Sequence, residues 1–177
     1  HTRFRNVTGV QTCALPICWT YVTSFGNPPV FIDTRNTSGG AGICLLCNGS
    51  GYVTIYSNGG FIVTGATQLA INTWHHLVLQ RQSGELKIFV NGVLDATLNY
   101  TSNLTENGLT IGSAADQTGN PTGYKMNGYL DDIRVTKGVA RYTTNFSPPA
   151  SELTLSGDPH AANVSLLLIG NGTTEQT

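Results

Sequence analysis

Residues 74–98 read WHHLVLQRQSGELKIFVNGVLDATL, and this stretch decides the fold class. Within Glu85–Val90, Leu86, Ile88 and Val90 fall on one side and Lys87 and Phe89 on the other, the two-residue period of a pleated strand. Within Trp74–Arg81, His75, Leu77, Leu79 and Arg81 alternate with Trp74, His76, Val78 and Gln80. Ser83-Gly84 and Asn91-Gly92 separate three such runs. Pairs of this kind accept the positive φ angles of type I′ turns, whose twist matches the flanking antiparallel strands. Asn58-Gly59 joins VTIYS to GFIV in the same way. Three antiparallel hairpins follow from local chemistry alone.

Working outward, short apolar runs alternate with turn signals at the spacing of an all-β sandwich or barrel. Candidate strands are 19–24, 29–34, 41–47, 51–57, 60–64, 74–81, 85–90, 93–98, 108–112 and 127–136. Asn99–Asn107 and Ala114–Tyr124 lack alternation and read as polar loops, the usual place for binding residues at one end of a sandwich. Val139–Tyr142 reads as a short helical turn, followed by a Pro-rich exit in which Tyr142 and Phe146 cap the end of the sandwich.

Composition points the same way. The chain has 177 residues, of which only 11% are charged, against roughly 25% in an ordinary soluble domain. Thr, Asn and Gly, at 24, 15 and 21 copies, take their place, and all three disfavour helices. A net charge of −1 with no basic patch argues against nucleic-acid binding. No apolar run approaches the roughly 20 residues of a membrane helix. No nucleophile, base and orienting acid assemble, and Glu85 and Glu106 lie at a turn and in a loop rather than as a carboxylate pair. The expectation is a module that is not an enzyme.

The first 18 residues differ from the rest. VTGVQTCALPI, Val7–Ile17, resembles a translated sequencing-library adapter, so 1–18 are expected to be non-native and Cys13 carries no weight. The sandwich is then expected to lack its N-terminal strands, leaving a sheet edge exposed.

WHHLVLQRQSGELKIFVNGVLDA, followed by GLTIGSA and GYLDDIRVTKGVARYTTNFSPPA, resembles the laminin-G-like, concanavalin-A-like jelly-roll family, in the form repeated in tailed-phage structural proteins. The resemblance covers Trp19–Ala150. It implies an antiparallel jelly-roll β-sandwich over 19–150, a linker over 151–162, and in 163–177 the first strand of a following repeat. It also implies a structural and adhesion role on a virion or in the extracellular space, with neighbouring repeats and cell-surface glycans as partners. The alternative is a carbohydrate-binding module of a secreted bacterial hydrolase or adhesin. Membrane insertion is not expected.

Cys44 and Cys47 are three apart on a strand and point to opposite faces, so they read as packed thiols rather than a zinc pair. His75 and His76, being adjacent, cannot chelate one ion together; one is expected to pack on the sheet and the other to be exposed. Asp131 shares a face with Tyr129, Ile133 and Val135, and Asp132 with Arg134. A core-side carboxylate must be hydrogen-bonded, paired or metal-bound. The family resemblance implies a rim calcium there, so Asp131 is expected to ligate calcium or tether a neighbouring loop. Sugar binding needs an aromatic surface with polar groups beside it. The loop residues Tyr100, Asn120 and Tyr124 are the ligand-binding candidates.

Overall fold

The computed structural model describes residues 16–35, 41–102, 104, 109–115 and 121–170. Their strands are β1 (Pro16–Val22), β2 (Val30–Asp33), β3 (Cys44–Cys47), β4 (Tyr52–Ser57), β5 (Gly60–Gln68), β6 (Trp74–Gln82) and β7 (Glu85–Val90). They continue as β8 (Val93–Asn99), β9 (Thr110–Ile111), β10 (Ser113–Ala115), β11 (Pro121–Lys125), β12 (Gly128–Thr136) and β13 (Val164–Leu168). Two antiparallel sheets stack face to face. One has the order β13-β12-β1-β6-β7-β8 and the other β5-β4-β3-β2-β9, with β10-β11 as a separate hairpin.

The period-2 pattern sets which side chains meet between the sheets. Leu77, Leu79, Leu86, Ile88 and Val90 face Leu45, Cys47, Val53 and Ile55 across a closed core. The three hairpin turns have positive φ at both central residues: Asn58 and Gly59, Ser83 and Gly84, Asn91 and Gly92. Cys44 packs in an outer cluster with Val30 and Leu46, whereas Cys47 and Cys18 sit in the inter-sheet core. Opposite-facing packed thiols are therefore what form at 44 and 47. Burial pushes Cys18, Cys44 and Cys47 up to about 12.

Several local expectations are revised. The strand read from Trp19 begins at Pro16, and Ile17 and Cys18 are both buried. The stretch read as a loop over 114–124 includes β10 and β11. Val139–Tyr142 forms no helix; the segment lies on the outer face of the six-stranded sheet, where the Tyr142 N–H donates to the Gln80 side chain. Tyr142 and Phe146 pack on the outer face of that sheet, against Ile17, Val78 and Phe89, rather than on the end of the sandwich. Residues 164–168 pair antiparallel with β12. Among the described residues no helix is long and apolar enough to cross a membrane.

Candidate functional site

β1 lies between β6 and β12, and its outward side chains are Ile17, Trp19 and Tyr21. The registers of the two ladders set these in rows across the sheet. Tyr21 stands opposite Trp74 on β6 and Tyr129 on β12; Trp19 stands opposite His76 and Asp131; Ile17 stands opposite Val78 and Arg134. One sheet face thus grades from an aromatic row, through a mixed row, to one in which Ile17 and Val78 are flanked by Arg134.

The Ile17 end is covered. Phe146 meets Phe89 and His76 with ring centroids 5.7 Å away, and stacks on Tyr142 at 3.6 Å. Residues 142–146 form a strap pinned at two points: Phe146 N–H donates to the Gly92 carbonyl at 2.9 Å, and the Asn145 side-chain Oδ1 accepts the Leu94 N–H at 2.9 Å. Gln80 clamps Tyr142 from both sides, its Oε1 accepting the Tyr142 N–H at 2.8 Å and its Nε2 donating to the Tyr142 carbonyl. Among the described residues the aromatic row has no such cover. Trp74 is 43% and Tyr129 65% exposed, and Tyr21 between them lies 5.5 Å from one ring and 5.8 Å from the other. Large aromatics left in solvent side by side on a sheet are the kind of exposed patch that marks a contact surface.

Beside this row runs a groove of about 410 Å³ between Trp19 and Trp74 on the sheet and residues 149–152 of the exit segment, with Asp131, Asp132 and Glu152 along it. The expected facing of Asp131 is overturned here. Trp19 pairs with Asp131 and Ile17 with Arg134, so Cys18 alone stands opposite both Asp132 and Ile133. This β-bulge, with Asp132 at φ 48°, resets the alternation. Leu130 and Ile133 both reach the core, and Asp131 turns outward beside Trp19. Its Oδ1 accepts the N–H groups of Asp132 and Gly170, each at 2.7 Å, which is a tether of the kind the sequence allowed. Asp132 is buried and accepts the Leu153 N–H at 3.3 Å. Burial raises its carboxyl, against the opposing pull of that hydrogen bond.

Neither histidine is exposed. His76 packs edge to face on Trp19 at 5.1 Å, and burial, with the Arg134 guanidinium adding to it, brings its imidazole down to about 4. His75 lies on the opposite side of β6, its Nε2 against the Ala70 backbone and its Nδ1 against Asn91. Beyond residues 149–152 a second cleft of about 300 Å³ holds Arg134, Arg141 and Asp158. Arg141 donates twice to Asp158, at 3.0 and 2.8 Å, and Arg134 lies 3.7 Å away. The Arg141 hydrogen bonds hold the Asp158 carboxyl down at about 2.

Of the sequence-level site residues, Tyr100 is buried rather than displayed on a loop. Its hydroxyl is bonded to Ser57 Oγ and Asn58 Nδ2, each at 3.0 Å, and Arg81 lies over its ring. Tyr124 is 54% exposed on β11. Asn120 lies outside the described residues. Calcium takes six to eight oxygen ligands. Among the described residues no three His, Cys, Asp or Glu side chains converge, and Asp131 Oδ1 is taken by two amides. Trp19, Tyr21, Trp74 and Tyr129 were missed as a group. Each lies on its strand's outward parity, but only the register between strands distant in sequence brings them together.

Residues 17–141 match the family model Laminin_G_3, the concanavalin A-like lectin/glucanases superfamily. Among curated proteins none matches. Among solved structures, a candidate carbohydrate-binding protein of Bacteroides ovatus ATCC 8483 is similar at TM-score 0.71 and 18% identity, over 98% of this chain and 50% of its own. The chain thus spans half the length of that protein. The CBM40 module of the Ruminococcus gnavus IT-sialidase, bound to α2,3-sialyllactose, is similar at TM-score 0.58 and 15% identity, over 71% of this chain and 76% of its own. A SAP-like pentraxin of Limulus polyphemus follows at TM-score 0.53 and 17% identity, over 71% and 64%. At these identities the likeness is one of fold.

Proposed function

The chain belongs to the concanavalin A-like lectin/glucanases superfamily, and from that premise we propose that it is a non-catalytic module that binds glycans on the outer face of its six-stranded sheet. The observation that carries this reading is the row Trp74–Tyr21–Tyr129, uncovered among the described residues, beside the groove walled by residues 149–152. A pyranose ring has an apolar C–H face and a rim of hydroxyls. An aromatic row takes the first, and acceptors set next to it take the second. Asp131 keeps its Oδ2 clear of any donor among the described residues, and the exposed Glu152 stands across the groove. The similar Bacteroides and Ruminococcus structures, a candidate carbohydrate binder and a sialidase's binding module, support the same class of function.

The module's setting is a further part of the proposal. The pattern of Trp74–Ala150 favours a phage tail or virion-surface protein displaying the module toward host glycans; the named neighbours favour an appended module of a secreted hydrolase or adhesin. Genes flanking the coding sequence discriminate, capsid and tail genes supporting the first and a catalytic domain in the same protein the second. The binding itself is tested by affinity electrophoresis and a glycan array on the chain and its Trp74→Ala variant. Retention that disappears with Trp74 is expected. An array without hits overturns the reading.

A further inference from the structure

We infer that the groove selects uncharged glycans and discriminates against those bearing carboxylate sugars. The inference rests on the glycan-binding reading above and concerns which glycans it admits. The lining consists of Trp19 and Trp74, then Asp131, Asp132, Ser151 and Glu152, with Pro149 and Ala150 between. Among these described residues none carries a positive charge and three carry carboxyl groups. An ionised carboxylate only accepts hydrogen bonds. It therefore complements a hydroxyl, which donates, and has nothing to offer a second carboxylate except repulsion.

Among the described residues, the positive groups nearest this wall do not compensate. Arg134 and Arg141 stand in the separate cleft beyond residues 149–152. Arg141 is committed to Asp158 through two hydrogen bonds and to Thr136 Oγ1 through its Nε at 2.7 Å. Arg134 is buried and faces the same aspartate. The two grooves share one wall but differ in sign: carboxylates and aromatics on one side, guanidiniums closed on an aspartate on the other. A ligand stacked along Trp74 lies on the acidic side.

The test is calorimetric or interferometric titration of the whole chain with paired probes. Neutral lactose, cellobiose and N,N′-diacetylchitobiose are set against 3′-sialyllactose, at low and high salt. At least one neutral probe is expected to bind, sialyllactose at least tenfold more weakly at low salt, and the gap to narrow as salt screens the carboxylates. Glu152→Gln, a change on an exposed side chain, is expected to raise sialyllactose affinity about threefold, the factor for one unit charge roughly 6 Å away in water. If sialyllactose binds as tightly as the neutral probes, with a dependence on Trp74, the inference falls while the glycan-binding reading stands. If no probe binds, or binding ignores Trp74→Ala, both fall.

Discussion

Trp19 meets His76 edge to face, ring centroids 5.1 Å apart, on the line where the covered half of the six-stranded sheet gives way to the open half. Phe146 closes the other side of the imidazole at 5.7 Å, leaving it 1% exposed. The histidine is therefore held neutral, at about 4, while the unfolded chain titrates near 6.5. Between those values the unfolded state binds a proton that the folded state rejects. This contribution is present in full above pH 6.5 and is lost as pH falls toward 4. From pH 7 to pH 5 the loss is about 2 kcal/mol. His76→Phe is expected to flatten the stability profile over that window, measured by chemical denaturation at each pH. Parallel profiles for the two proteins would remove His76 as the cause.

The aromatic row and the buried tyrosine separate binding from folding. Trp74→Ala and Tyr129→Ala are each expected to weaken glycan retention at least about tenfold with a change in stability below about 1 kcal/mol, since surface positions lie outside the packed core. Tyr100→Phe should do the reverse. It strips the hydroxyl from Ser57 and Asn58 at a cost of about 1 kcal/mol and leaves retention unchanged. Retention on gels with immobilised glycan, alongside thermal melts, distinguishes the two patterns.

The strap depends on one glycine. Gly92 has φ +79°, and a Cβ there would lie 2.0 Å from the Phe146 carbonyl oxygen, a backbone atom that cannot swing aside. Gly92→Ala is expected to cost more than about 2 kcal/mol, combining left-handed strain with displacement of the strap. Faster hydrogen exchange at the Phe146 amide, which donates to the Gly92 carbonyl, is the local readout. An unchanged exchange rate would show that the strap is held without this contact.

How far the sequence alone reaches is clearest along β6 to β8. There the alternation places Leu77, Leu79, Leu86, Ile88 and Val90 in the core, and Asn-Gly and Ser-Gly supply turns of the right handedness. The alternation breaks at Asp132. Strict alternation carries Asp131 to the core beside Ile133, but one residue too many opposite Cys18 breaks the count, and that surplus belongs to a pairing between residues over a hundred positions apart. The same dependence hid the Trp74–Tyr21–Tyr129 row. Tyr100 misled for another reason. A polar stretch predicts exposure for the segment as a whole, yet this ring finds buried hydroxyl and amide partners.

Burial raises the three described thiols to about 12, so they remain protonated and unreactive at neutral pH. With Cys13 replaced by serine, the native chain is expected to give no rapid reaction with Ellman's reagent at pH 8, and Cys18, Cys44 and Cys47 to react fully once denatured. A rapid native phase would mean that one of the strands carrying them opens readily.

Because the strap dries only one half of the sheet's outer surface, the two halves answer to different demands. Ile17, Val78 and Phe89 are fixed by what rests on them. Among the described residues Tyr21, Trp74 and Tyr129 pack chiefly on one another, and Trp74 and Tyr129 stand in solvent, so exchanging them is expected to leave the scaffold intact. A single framework can thereby be refitted to new partners by swapping the wet side chains alone.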